Sequence, residues 1–103
     1  MPKQIWKFKI PIDGIIEMPA CAEVLTIETQ MTDKGEEPFV WAVCDTNPNI
    51  AKVKRQFFIW PTGKDLPKEY ESTNGFHTDG WKYHGTFHMV TAALVFHVFE
   101  ART

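Results

Sequence analysis

Apolar and polar residues alternate with a period of two along most of this chain, and that rhythm predicts strands. Trp6, Phe8 and Ile10 alternate with Lys7 and Lys9, the mark of a strand with one buried face. Pro11 and Asp13-Gly14 form a turn, and Ile15-Ile16-Glu17-Met18 is a short extended piece stopped by Pro19. A strand over Val24 to Met31 places Leu25 and Ile27 on one side, Thr26 and Glu28 on the other. Asp33-Lys34-Gly35 supplies the next turn, with Gly35 free to take positive φ. Over Phe39 to Asp45 both faces are apolar: Phe39, Trp41 and Val43 on one, Val40, Ala42 and Cys44 on the other. Such a segment reads as a central strand covered on both sides.

Thr46-Asn47-Pro48-Asn49 is a loop by composition. Val53 to Trp60 is the next strand, with Arg55, Phe57 and Ile59 on one face and Lys54, Gln56, Phe58 and Trp60 on the other. Residues 62–80 hold Gly63, Pro67, Gly75 and Gly80 and keep no period. The stretch exceeds an ordinary connection and is the natural place for a lid or contact loop. A single helical turn fits Leu66 to Glu71, with Pro67 tolerated only in its first turn. Trp81 to Met89 and Leu94 to Glu100 then form a hairpin. No stretch of a dozen residues has a 3.6 period with caps, so the expected class is all-β, or β with one short helix. About six or seven strands at regular spacing fit a small antiparallel barrel or sandwich.

The hairpin register carries chemistry. A two-residue turn at Val90-Thr91 sets His84 opposite His97, Thr86 opposite Val95 and His88 opposite Ala93, and directly opposed Cβ atoms lie about 4.5–5.5 Å apart. The two histidines then share a hydrogen bond or a metal. A shift of register puts His97 opposite Thr86 and dissolves the pair, leaving two ordinary histidines beside an aromatic face. No third ligand stands at zinc-like spacing, so no metal is expected.

At 103 residues the chain is expected to be one domain over 1–103. The apolar fraction of 44% excludes a disordered chain. A net charge of -2 argues against a duplex nucleic-acid binder. Lysines interrupt the N-terminal apolar residues, so no secretory signal segment is expected, and no window approaches a membrane span. The expected compartment is the cytosol. There Cys21 and Cys44 are free thiols packed as small hydrophobes.

Thr62-Gly63-Lys64 lacks the first glycine of a phosphate-binding P-loop, and Asp65 stands where its hydroxyl residue belongs. Two readings remain: a tight turn after a strand, or a small backbone anion nest beside Lys64. Arg55 shares its face with Phe57 and Ile59. Its guanidinium must meet an internal partner such as Asp45, or an anionic ligand in a pocket. Trp60, beside Pro61 at a strand end, is placed at a rim, where with Phe58 and Lys54 it can stack a base. Trp6, Trp41 and Phe57 are assigned to the core. No nucleophile elbow, zincin or deaminase motif occurs, and Ser72, the only serine, has no neighbouring base. A non-enzymatic protein without a cofactor is expected.

Trp6-Lys7-Phe8, Glu17-Met18-Pro19, Trp41-Ala42-Val43-Cys44-Asp45, Arg55-Gln56-Phe57, Thr62-Gly63, His84-Gly85-Thr86 and Phe96-His97-Val98-Phe99-Glu100 occur in this order. In that order and spacing the chain resembles a family of small tailed-phage and prophage proteins of unassigned function. It departs from that pattern between Thr62 and Lys82, which is longer, and at Phe96, where Trp is expected before His97. The resemblance implies a small phage-encoded protein of the host cytosol and supplies no activity. By analogy at the level of gene class, such proteins include counter-defence factors that sequester nucleotide signals.

The expected function is therefore a homo-oligomeric binder of a small anionic, nucleotide-like ligand. Trp60 supplies stacking, Arg55 and Lys54 supply charge, and Thr62, Gly63 and Lys64 supply donors, with His84 and His97 secondary. The alternatives are a phage inhibitor that blocks a host protein through a sheet edge or the 62–80 loop, and a minor virion component.

Overall fold

A computed structural model describes residues 2–66, 81–90 and 93–101. Seven strands follow one another: β1 (Lys3–Lys9), β2 (Ile15–Pro19), β3 (Glu23–Thr32), β4 (Gly35–Asp45), β5 (Lys52–Pro61), β6 (Trp81–Met89) and β7 (Leu94–Ala101). No helix occurs among the described residues. They form two antiparallel sheets, one ordered β1-β4-β3 and the other β2-β5-β7-β6. The proposed helical turn at 66–71 lies, beyond Leu66, outside the described residues. The same holds for the contact loop from position 67 to 80.

The two sheets make a sandwich. Its shortest extent is 19 Å, enough for two layers packed about 10 Å apart. One side is closed where β3 meets β6: Thr29 Oγ1 donates to the His88 carbonyl at 3.2 Å, and the Val90 N–H donates to Glu36 Oε2 at 3.0 Å. The inner faces supply the core, where Met18, Val40, Cys44, Phe57 and Val98 are the largest fully buried side chains. Burying a side chain such as Phe57 contributes about 1.5–3 kcal/mol. Gly14, just before β2, has φ +74°, and a Cβ there would stand 2.0 Å from the Phe57 carbonyl oxygen. The close approach lets Phe57 N–H donate to the Gly14 carbonyl at 2.8 Å.

Two bulges reset the alternation. In β3 the register shifts between Val24 and Thr26. Val24 and Ile27 thus face inward, while Leu25 is pushed out to 48% exposure, contrary to its expected place beside Ile27. In β6 the register shifts between Tyr83 and Gly85, and Gly85 takes φ +137°, a conformation that L side chains rarely adopt. β4 is the central strand of its sheet, as its two apolar faces predict. Val40, Ala42 and Cys44 point into the core, and Phe39 on the other face is buried too. Trp41 is a correction: it lies on the outer face with Phe39, where Lys7 Nζ sits 5.2 Å from the Phe39 ring and 5.8 Å from the Trp41 ring. A long lysine stem covers these rings, so no second layer is needed.

Candidate functional site

β5 carries three of the candidate residues, Lys54, Arg55 and Trp60, and its alternation separates them. Arg55, Phe57 and Ile59 face the core, while Lys54, Phe58 and Trp60 face out. Arg55 and Trp60 also stand toward opposite ends of the strand. From Lys54 to Trp60 is roughly 20 Å at about 3.3 Å per residue. The expected single site built from Arg55, Lys54 and Trp60 is therefore corrected to two separate clusters.

The inner cluster is ionic. Arg55 Nε donates to Glu100 Oε2 at 2.5 Å, Nη2 to Oε1 at 2.8 Å, and Nη1 to the Ala22 carbonyl at 2.6 Å. Arg55 thus has an internal partner, which is Glu100 and not Asp45. His84 Nε2 lies 2.7 Å from Glu100 Oε1. An ionised carboxylate only accepts, so Nε2 carries the hydrogen. Burial opposes ionisation of Glu100, but hydrogen bonds and positive charge from Arg55 and His84 outweigh it and hold its pKa at about 2. The hydrogen bond to Glu100 likewise raises Arg55 above its ordinary value, against the opposing effect of burial. A bidentate fork on a carboxylate with little water access is the strong form of this pair.

Of the two registers the sequence allows, the structure has the one that separates His84 from His97. The hairpin loop has four residues, since Met89 pairs with Leu94, and His97 stands opposite Thr86. The bulge at His84-Gly85 then turns His84 inward, while His97 stays on the outer face. Among the described residues, no three His, Cys, Asp or Glu side chains come together as a metal-ligand set.

The outer cluster gathers Trp60, Thr62, Lys64 and His97 at the other end of β5. Trp60 pairs directly with His97 across β5 and β7. Lys64 Nζ sits 4.6 Å over the Trp60 ring, and Trp60 Nε1 donates to the Lys64 and Asp65 carbonyls at 3.2 and 3.1 Å. His97 is bracketed by hydroxyls: Thr62 Oγ1 is 2.8 Å from Nε2, and Tyr83 OH and Thr86 Oγ1 are 3.1 and 3.2 Å from Nδ1. Thr62 Oγ1 donates to the Val95 carbonyl at 3.1 Å. Its lone pairs are then open to a hydrogen on His97 Nε2, while the Tyr83 and Thr86 hydroxyls stand at Nδ1.

Rings continue across the sheet. Tyr83 lies 5.2 Å from Phe99, Phe99 6.2 Å from Trp81, and Trp81 4.7 Å from Phe58. Tyr83 is 49% exposed. Of the two readings of Thr62-Gly63-Lys64, the structure has the turn. The Thr62 N–H donates to Val95 and the Lys64 N–H to Pro61, so Thr62-Gly63-Lys64 is the tight turn and two of its three amides are engaged.

Sequence reasoning missed Glu100, Tyr83 and Thr86. Glu100 was findable: it shares its side of β7 with Phe96 and Val98, so it is a carboxylate at a core position, as Arg55 is a cation at one. Tyr83 was hidden by the bulge, which moves it from the Phe87 face to the His97 face.

The chain matches, over residues 1–103, the family model described as domain of unknown function DUF7352, and it belongs to that family. No curated protein and no solved structure matches it.

Proposed function

We propose that this member of the DUF7352 family is a non-enzymatic binding protein for a small anionic, nucleotide-like ligand. The ligand lies on the outer face of the four-stranded sheet. The observation that carries this reading is the Trp60 corner, where an ammonium, an indole and the hydroxyl-bracketed His97 adjoin. An aromatic plane takes a base by stacking, a lysine beside it takes the charge, and Thr62, Thr86 and Tyr83 offer hydroxyls. Arg55 and His84 leave the ligand set because Glu100 engages them. Lys54 leaves it by distance.

The resemblance to small phage proteins supports sequestration of a nucleotide signal in the host cytosol as the setting, with the protein acting as a homo-oligomer. Capture of a host protein along a sheet edge has less support. β1 is an edge strand that presents Lys3, Lys7 and Lys9, the residues that discourage strand addition.

Native mass spectrometry of gently purified protein, with heat release of bound molecules, gives ligand and oligomeric state together. Titration with nucleoside mono-, di- and triphosphates and cyclic nucleotides, followed by tryptophan fluorescence, then tests the corner. Binding that weakens at least roughly tenfold in Trp60→Ala supports the reading, since stacking contributes on the order of 1–3 kcal/mol per base. Equal binding by Trp60→Ala, or no binding to any of these nucleotides, overturns it.

A further inference from the structure

The opposite end of β5 opens into a cavity of about 560 Å³ lined by Cys21, Ala22, Lys54, Arg55, Lys82 and Glu100, among others. That volume falls within the range of small-ligand sites. A guanidinium has five N–H donors. Three of those of Arg55 go to Glu100 and Ala22, which leaves two, and its side chain is 19% exposed.

Lys82 lines the cavity from β6, on the face that Glu100 shares, and Lys54 lines its rim from the outward face of β5. Lys82 pairs with Glu100 in the ladder and Lys54 with Glu17, yet neither lysine makes an ion pair among the described residues. Both carboxylate oxygens of Glu100 are already engaged by Arg55 and His84. Three cations against one carboxylate leave the cavity with an excess of positive charge.

Its wall is fixed by hydrogen bonds. The Pro19–Ala22 turn is closed by Ala22 N–H on the Pro19 carbonyl at 3.2 Å and tied to the residue before β5 by Ala20 N–H on the Ala51 carbonyl at 2.8 Å. Cys21 takes φ +65° at its tip. The turn is what presents the Ala22 carbonyl to Arg55 and aims the guanidinium.

We propose that this cavity is a second site, one that binds a phosphate-type oxyanion, either free or as the terminal group of a phosphate ester. A tetrahedral oxyanion accepts from the two open N–H groups of the guanidinium, with Lys82 on the same face and Lys54 at the rim adding positive charge. The cavity is wide at its mouth, so the remainder of an ester stays in solvent. The site is independent of the Trp60 corner, from which it is separated by nearly the length of β5.

The test is calorimetric titration of the full chain at about 0.01 M ionic strength, where surface charge is weakly screened. One arm uses inorganic phosphate and the other glycerol phosphate. Saturable binding is expected, with amide shifts in NMR spectra confined to Ala22, Arg55, Lys82, Ala101 and their neighbours. Binding to inorganic phosphate assigns the site to the free anion; binding to glycerol phosphate alone assigns it to an ester. The Lys54→Gln/Lys82→Gln variant changes two exposed side chains and is expected to bind roughly tenfold more weakly, or less. Trp60→Ala is expected to bind as the parent does. No saturable binding in either arm, or unchanged affinity in the double lysine variant, overturns the proposal. Loss of binding in Trp60→Ala overturns the independence of the two sites.

Discussion

His84 faces Glu100 across the inner side of the β6–β7 hairpin, 2.7 Å from Nε2 to Oε1, because Gly85 breaks the alternation of β6. Without the bulge, residue 84 would project with Thr86 and His88 to the outside. The bulge requires φ +137° at Gly85, and a Cβ there would meet nothing within 4 Å. Gly85→Ala therefore carries a backbone penalty and no steric one. We expect it to lower stability by about 1–3 kcal/mol. Urea denaturation checks this, and an unchanged midpoint would show that the bulge does not depend on glycine.

The Arg55–Glu100 pair predicts an asymmetry between breaking and replacing. Glu100→Gln leaves the Arg55 charge partly buried without its counter-charge, and we expect it to cost about 3–5 kcal/mol. That is a large share of the roughly 5–15 kcal/mol available to a domain. Arg55→Met/Glu100→Leu removes both charges and keeps apolar volume, so it should lose less than Glu100→Gln alone. Equilibrium unfolding of the single and double variants measures the coupling. A double variant less stable than Glu100→Gln would refute the account.

Acid should expose the same pair. Glu100 has a folded pKa of about 2 against 4.5 for an ordinary glutamate. A depressed carboxylate contributes stability that is fully present above the unfolded value and is lost as pH falls through the folded one. The window is thus pH 4.5 down to about 2, and the stability lost across it is on the order of 3 kcal/mol. Denaturation midpoints measured through this window should fall more steeply for the parent than for Glu100→Gln. Parallel curves would mean that Glu100 is not the group responsible.

Much of this arrangement is legible in the alternation alone. The seven strands, the central place of β4 and the inward direction of Arg55 all follow from period two. What the pattern does not carry is where the count slips. The bulges at Leu25 and His84 each add one residue to a strand, and every later side chain changes face. Leu25 and His84 were misplaced for that reason. Trp41 was misassigned for another: an aromatic residue on an open face can be covered by a lysine stem, and composition cannot distinguish that from a core. The choice between turn and anion nest at Thr62-Gly63-Lys64 turns on a third ground. A glycine turn offers amides, but the strand beside it, through the Val95 carbonyl, had already taken one of them.

The two cysteines separate native from unfolded chain in a single assay. Cys44 is fully buried in the core, and burial raises its thiol pKa; both effects suppress the reactive thiolate. Cys21 is exposed at the tip of the Pro19–Ala22 turn, which corrects the expectation that both thiols are packed. A colorimetric thiol reagent should therefore modify Cys21 promptly in the folded protein and Cys44 only as fast as the chain opens. In denaturant both should react together. The slow phase of Cys44 then reports opening of the sandwich, and it should accelerate in Gly85→Ala if that substitution weakens the closed state. Rapid modification of both thiols in native buffer would contradict the burial of the β4 inner face.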